Sequence, residues 1–158
     1  MHMNVCTQGN LRLPALTPIT EYSWIGGDRA VFDNNFTYSD ATVGCFNQKR
    51  DWDGQGQLHS RFNGVPLSGL GYWFPNDTYG YGKKVKFLDL YYYDGAKWVF
   101  FKTLTSSTPF IGGPTYQEFD FRDDPMPNPT GKVRVIGRNS WDPYGYRWVT
   151  ECRFLVYV

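Results

Sequence analysis

The stretch NSWDPYGYRWVTECRFLVYV, residues 139–158, decides the fold. Its second half alternates. Trp148, Thr150, Cys152, Phe154, Val156 and Val158 fall on one side, with Arg147, Glu151 and Arg153 on the other. A period of two marks extended chain, because successive side chains of a strand point to opposite faces. The alternation predicts one wall of a β core. Directly before it stand Trp141, Asp142, Pro143, Tyr144, Gly145 and Tyr146. So much ring surface in a turn makes that turn a candidate contact surface.

Outward from this stretch the pattern repeats. VKFLDLYYY, KWVFFKTL, YQEFDF and KVRVIG are rich in β-branched and aromatic residues, which suit a pleated, half-buried surface. Asp94-Gly95 separates the first two, a strong hairpin signal. RDDPMPNPTGK is too rich in proline for regular structure and reads as a loop. ITEYSWIGGDRAVFDNN reads as a strand, a Gly-Gly turn and a short turn or helix. NQKRDWDGQGQLHSRFNG reads as a long polar loop or an open hairpin, with its DGQG a glycine-bearing turn. GYWFPNDTYGYGKK reads as a strand ending in an aromatic turn. No long stretch has helical periodicity, and there is no internal repeat or linker. The expected fold class is all-β: one antiparallel sandwich or jelly roll over residues 1–158, with 1–16 as an N-terminal extension.

Composition sets the function classes. The chain has 158 residues, 41% hydrophobic and 20% charged, enough for a packed core. Its outlier is the aromatic share, 19%, from 12 Phe, 12 Tyr and 6 Trp. A domain of this size does not hide all of those rings, so some are expected in exposed loops. The net charge of +1 argues against a nucleic-acid or anionic-membrane partner. NQKRDW and GYGKKVK set short basic runs beside aromatics, as single-strand binders do, but with acidic neighbours they read as solvated faces. No run approaches the roughly 20 apolar residues of a spanning helix. MHMNVCTQGN contains no apolar signal segment, and Met1–Met3 fits an expression tag. Three cysteines, Cys6, Cys45 and Cys152, leave at least one thiol free; buried reduced thiols and one terminal staple both fit. Only His2 and His59 offer an imidazole, and no phosphate loop or metal-hydrolase motif occurs, so catalysis is not expected.

In order, four pieces of the chain resemble the discoidin family, the coagulation-factor C-type domains among the galactose-binding-like jelly rolls. ITEYSWIGGDRAVFDNN is similar to the family's opening strand, turn and helical turn. LGYWFPNDTYGYGKKVKFLDLYY is similar to its next strand pair. YYYDGAKWVFFKTL resembles its DG-x-x-W hairpin, and VRVIGRNSWDPYGYRWVTECRFLVYV its closing hairpin. The likeness spans roughly residues 17–158. It departs at Asp33-Asn34-Asn35, which stands for the family's Asp-Gly-Asn, and in a longer, more polar 40–70 region. The resemblance implies a non-enzymatic module that binds glycans, lipid head groups or proteins through loops at one end. It also implies a structural calcium in the Asp33 turn, with Glu151 of the last strand as carboxylate. The family's terminal disulfide would need Cys6 near Cys152, whose side points inward here.

Sugar recognition needs a ring to stack on the C–H face and polar side chains to take the hydroxyls. Three turns offer both: Trp24 with Asp28 and Arg29; Trp73 with Asn76, Asp77, Tyr79 and Tyr81; Asn139 and Trp141 with Asp142, Tyr144, Tyr146 and Arg147. The same rings could equally cap the barrel. Asp33, Asn35 and Thr37 offer oxygen donors of the kind calcium takes, and equally suit a capped turn without metal. The expected function is a carbohydrate-binding module. Its rival is an adhesion or structural module that binds a protein partner in a larger assembly, such as a virion or cell-surface complex. In either case weak single sites would gain avidity from homo-oligomerisation or a host assembly, in an extracellular, virion or cell-surface setting.

Overall fold

A computed structural model describes residues 14–35, 46–75, 83–107 and 115–157. Cys6, Cys45, Thr37, Asn76, Asp77, Tyr79 and Tyr81 lie outside the described residues. Two antiparallel sheets face each other. One runs in the order β1 (Leu16–Pro18), β11 (Glu151–Tyr157), β5 (Gly69–Trp73) and β8 (Tyr116–Asp120). The other runs β2 (Tyr22–Gly27), β4 (Trp52–Leu58), β9 (Lys132–Ser140), β6 (Val85–Tyr93) and β7 (Trp98–Thr105). A short ribbon pairs β10 (Arg147–Val149) with β3 (Phe46–Gln48). The expected β-sandwich jelly roll is what the chain forms.

The core lies between the sheets. Trp52, Tyr72, Leu88, Leu90, Val133, Val135 and Phe154 are buried there, and each fully buried large side chain contributes about 1.5–3 kcal/mol. Phe154 stacks on Phe32 with ring centroids 6.5 Å apart and planes 11° apart. The Asp94-Gly95 hairpin forms as expected. Asp94 Oδ1 accepts the N–H groups of Ala96 at 2.7 Å and Lys97 at 2.9 Å, and Gly95 takes φ 107°.

Two sequence readings need correction. NQKRDWDGQGQL is neither a long polar loop nor an open hairpin, and its DGQG is not a turn: it lies within β4, an interior strand between β2 and β9. Its glycines face inward and leave room for the 3-10 turn Arg29–Val31 and the following Phe32. A Cβ on Gly54 would stand 2.3 Å from Val31 Cβ, and one on Gly56 3.0 Å from Phe32 Cγ. Its polar residues Asp53, Gln55 and Gln57 take the outer face. The closing alternation is also broken. The chain changes partner at Thr150, whose N–H bonds Trp73 O at 2.9 Å. Beyond it, Glu151 and Leu155 are buried as fully as Cys152. β11 is an interior strand flanked by β1 and β5, and the turn through Asn34 covers Glu151.

Register fixes which loops share an end. Gly27 pairs with Gly54, Trp52 with Gly137, and Val85 with Ser140. In the other sheet Trp73 pairs with Glu151 and Tyr116. The bonds Thr150 N to Trp73 O and Trp148 N to Lys83 O (2.6 Å) tie the two sheets at that same end. The corner after β2, the chain leaving β5 and the turn after β9 therefore all stand at one pole.

Candidate functional site

The turn between β9 and β10 is built from its own polar atoms. Asp142 Oδ2 accepts Tyr146 N at 3.0 Å, Asp142 O accepts Gly145 N at 2.9 Å, and Ser140 Oγ accepts Asp142 N at 2.9 Å. Gly145 sits at φ 86°, a left-handed position that glycine adopts without a Cβ clash. The predicted ring Trp141 is half-buried, and its Nε1 donates to Ser106 Oγ at 2.9 Å. Tyr144 stands out at the tip, 66% exposed. Tyr146 and Trp148 meet edge to face at 6.4 Å.

Arg147 anchors the turn to the neighbouring loop. Its Nε donates to Asp51 Oδ1 at 2.7 Å, and its Nη1 to Lys49 O at 3.0 Å and Gly145 O at 2.7 Å. Asn139, at φ 59°, donates its backbone N–H to the same Asp51 oxygen at 3.0 Å. Next to this, Asp28 receives both Nη groups of Arg50, at 2.7 and 3.1 Å, and the N–H of Asp53 at 2.9 Å. The bond from Asp28 raises the Arg50 guanidinium above its usual range. A cavity of about 230 Å³ opens here between Gly27–Ala30, Phe46, Gln48 and Arg50. Trp24 lies on the outer strand β2, 41% exposed, with the Arg29 guanidinium 5.3 Å from its ring centroid and its Nε1 on Gly27 O.

Trp73 is placed differently from the other rings. It packs on Tyr116 at 4.3 Å and lies against Gly71, where a Cβ would come within 2.8 Å of it. Its environment is sheet packing.

The Asp33–Asn35 turn and Glu151 meet, as the resemblance implies. Glu151 Oε2 accepts Asn34 N at 2.9 Å and the Tyr22 hydroxyl, while Asp33 Oδ1 accepts Asn35 N at 3.1 Å. Burial pushes the Glu151 carboxyl up to about 9, against the pull of the Asn34 N–H, the Arg153 charge and the Asp33 N–H. Among the described residues no cluster of three or more His, Cys, Asp or Glu side chains forms. Cys152 is a free, buried thiol, and burial holds it well above its usual range. His59 lies at the opposite end, where its Nδ1 caps Arg61 N at 3.0 Å.

Sequence reasoning read the lysines of the two basic runs as solvated faces and did not place them at this site. Lys49 lies over the Tyr146 ring, Lys83 over Tyr146 and Trp148, and Lys86 over Trp141. The two basic runs were legible, but only the pairing of β10 with β3 and Lys83 reveals that both border the aromatic turn.

No family model matches the sequence, and no curated protein matches it. Solved structures do match. A carbohydrate-binding module, the third CBM32 of a family 31 glycoside hydrolase from Clostridium perfringens, aligns with TM-score 0.58 at 12% identity, over 90% of this chain and 95% of that one. An F5/8 type C domain from Bacteroides fragilis aligns with TM-score 0.56 at 15% identity, over 89% and 96%. The family 32 module of C. perfringens NanJ, solved in complex with galactose, gives 0.52 at 9% identity, over 89% and 99%. The chain thus has the discoidin-like jelly-roll fold of the F5/8 type C and CBM32 domains.

Proposed function

We propose that this chain is a non-catalytic recognition module that binds carbohydrate at the pole formed by the 24–29 corner and the 139–147 turn. The observation that carries this reading is the turn itself: an exposed Tyr144 on a scaffold locked by Asp142, Arg147 and Asp51. A preorganised ring offers a sugar's C–H face a platform, while Asn139, Arg147, Arg29 and their neighbours supply hydrogen-bonding groups. The galactose-bound module of like fold supports it. The non-catalytic part rests on chemistry: the described thiol is buried, and His59 serves a backbone turn at the other end.

A structural calcium ion belongs to the same proposal. Glu151 Oε1 is buried without a hydrogen-bond partner among the described residues, beside an Asp-Asn-Asn turn. An unsatisfied buried carboxylate oxygen next to further oxygen donors fits a hard cation. Glu151 and the turn from Asp33 through Asn35 would hold it, and the ion would balance the charge of the ionised Glu151 carboxylate and stiffen the turn.

The test is a glycan array with wild type, Tyr144→Ala and Trp141→Ala. Sugar binding that Tyr144→Ala abolishes at unchanged melting temperature supports the reading. No binding to any glycan, together with stable homo- or hetero-assembly, overturns it in favour of a protein-binding adhesion module.

A further inference from the structure

The outer face of the five-stranded sheet carries a second group of rings, away from the pole. On β6 and β7 the core takes Leu88, Leu90, Tyr92 and Phe101, so Tyr91, Tyr93, Trp98 and Phe100 alternate to the outside. Tyr91 meets Phe100 edge to face at 5.5 Å, and Tyr93 meets Trp98 at 5.4 Å. Phe100 is 53% exposed. On its other side β6 is flanked by β9. From there the Arg134 guanidinium stands 5.4 Å from the Tyr91 centroid and 5.8 Å from that of Trp98, and Lys132 Nζ stands 4.8 Å from that of Tyr93. Each tyrosine thus has a cation from one neighbouring strand and a ring from the other. Register extends the surface: Gln55 pairs with Arg134, Arg134 with Tyr91, and Tyr91 with Phe100. At about 4.8 Å per strand this row is roughly 14 Å long. It lies roughly 20 Å along β6 from Val85, which pairs with Ser140 at the pole.

Two features say what this face would take. Its charges are largely matched on the face itself. Arg134 pairs with Asp53, and Arg138 with Asp89, which also accepts the Thr103 hydroxyl. Of the three cations on β9, only Lys132 has no ion pair among the described residues. A surface that carries two aspartates and little net charge does not draw in a polyanion. The second feature is the polar edge of the rings. The Tyr91 and Tyr93 hydroxyls, Trp98 Nε1 and the Gln55 carboxamide make no hydrogen bond among the described residues. A dry apolar partner would strand all of them, at a cost for each. A saccharide strands none, because its C–H faces lie on rings while its hydroxyls meet polar edges.

We propose that this face is a second carbohydrate site, separate from the pole, which takes a neutral linear saccharide across β4, β9, β6 and β7. A chain is specified rather than one sugar, because the rings and polar groups are spread along the row. The site does not depend on the pole being a sugar site. With both in use, one copy of the protein holds two glycan segments and gains avidity without oligomerising.

The test is affinity electrophoresis through gels containing galactan, galactomannan or xyloglucan, run with Tyr144→Ala so that the pole is disabled. At least one polysaccharide should retard this variant, equally at about 0.05 and about 0.5 M salt because the ligand is neutral. Adding Trp98→Ala/Phe100→Ala should weaken the retardation at least about tenfold. Gln55→Ala/Lys132→Gln, which removes no ring, should also weaken it at unchanged melting temperature, and decides the matter if the ring variant is destabilised. A Tyr144→Ala protein that no polysaccharide retards, or retardation that the face variants leave unmoved, overturns the inference. If wild type is then still retarded, the carbohydrate reading of the pole stands. A dimer that Trp98→Ala/Phe100→Ala dissolves, or binding of a single-stranded oligonucleotide that the same variant abolishes, overturns the inference as well.

Discussion

Arg147 Nε donates to Asp51 Oδ1 at 2.7 Å across 96 positions of chain, and the same oxygen accepts the Asn139 N–H at 3.0 Å. One carboxylate thereby clasps both stems of the aromatic turn. Arg147 is largely covered and Asp51 about half exposed, and an ion pair that wet adds at most about 1 kcal/mol to stability. Its larger effect is on order in the turn. Asp51→Ala is expected to leave the urea midpoint nearly unchanged and to weaken ligand binding about tenfold, because the turn must then be ordered on binding. Near-ultraviolet circular dichroism of Trp141 and Trp148 should flatten in the variant without ligand.

The glycines of β4 make a stability prediction with an internal control. Gly54→Ala drives a Cβ to 2.3 Å from Val31 Cβ and 2.6 Å from both of its methyl carbons. The expected cost is about 1–3 kcal/mol by urea denaturation, since overpacking forces backbone shifts. The shift also reaches the pole, because Val31 closes the 3-10 turn that begins at Arg29. Gly64→Ala meets nothing within 4 Å, and its φ of 81° alone sets a cost of about 1 kcal/mol.

Those glycines also explain what was legible in the sequence. The Asp94 hairpin and β9 could be read directly, because a turn signal between β-rich runs and a clean alternation are local facts. β4 could not. Between Trp52 and Leu58 only Asp, Gly and Gln alternate, so local rules return a loop. Its inward glycines make sense only once Val31 and Phe32 are seen resting on them. The same limit applies at Glu151: parity put it on the polar side, and a turn 117 positions earlier buries it. At the candidate site, the rings and Arg147 were legible as a cluster in sequence. Asp51 and the lysines were not, because strand pairing alone brings them there.

Lys84 gives a pH prediction. It is buried, with Nζ 3.2 Å from Gln117 Oε1 and 3.4 Å from Ser107 Oγ, and no carboxylate among its described partners. Burial lowers its ammonium below the usual 10.5. Between the folded value and 10.5 the unfolded chain binds more protons, so this residue makes stability rise with pH across that window and fall as pH drops through the folded value. Lys84→Met keeps the stem and removes the charge. The variant should be more stable than wild type at pH 7 by about 1 kcal/mol, and the gap should close near pH 10.5. A gap of the same size at both pH values, in paired urea melts, would refute the assignment.

Glu151 carries the last prediction. Its Oε2 is held by Tyr22 and Asn34, while its Oε1 is buried without a hydrogen-bond partner among the described residues. If that oxygen ligates calcium together with the Asp33–Asn35 turn, the ion binds the folded chain and not the unfolded one. Calcium at about a hundred times its dissociation constant then adds about 2.7 kcal/mol, a rise of roughly 5–10 °C in melting temperature for a domain of this size. Glu151→Gln retains one acceptor oxygen but lacks the charge, so its melting temperature should not respond to calcium. In chelator the variant should be at least as stable as wild type at pH 8, since the Glu151 acid, ionised in the unfolded chain, must take up a proton on folding and the amide need not. The pair of melts separates two roles for this residue. A response confined to wild type makes Glu151 a ligand of the ion, whereas no response in either protein makes it a buried acid whose hydrogen bonds to Asn34 and Tyr22 are its whole contribution.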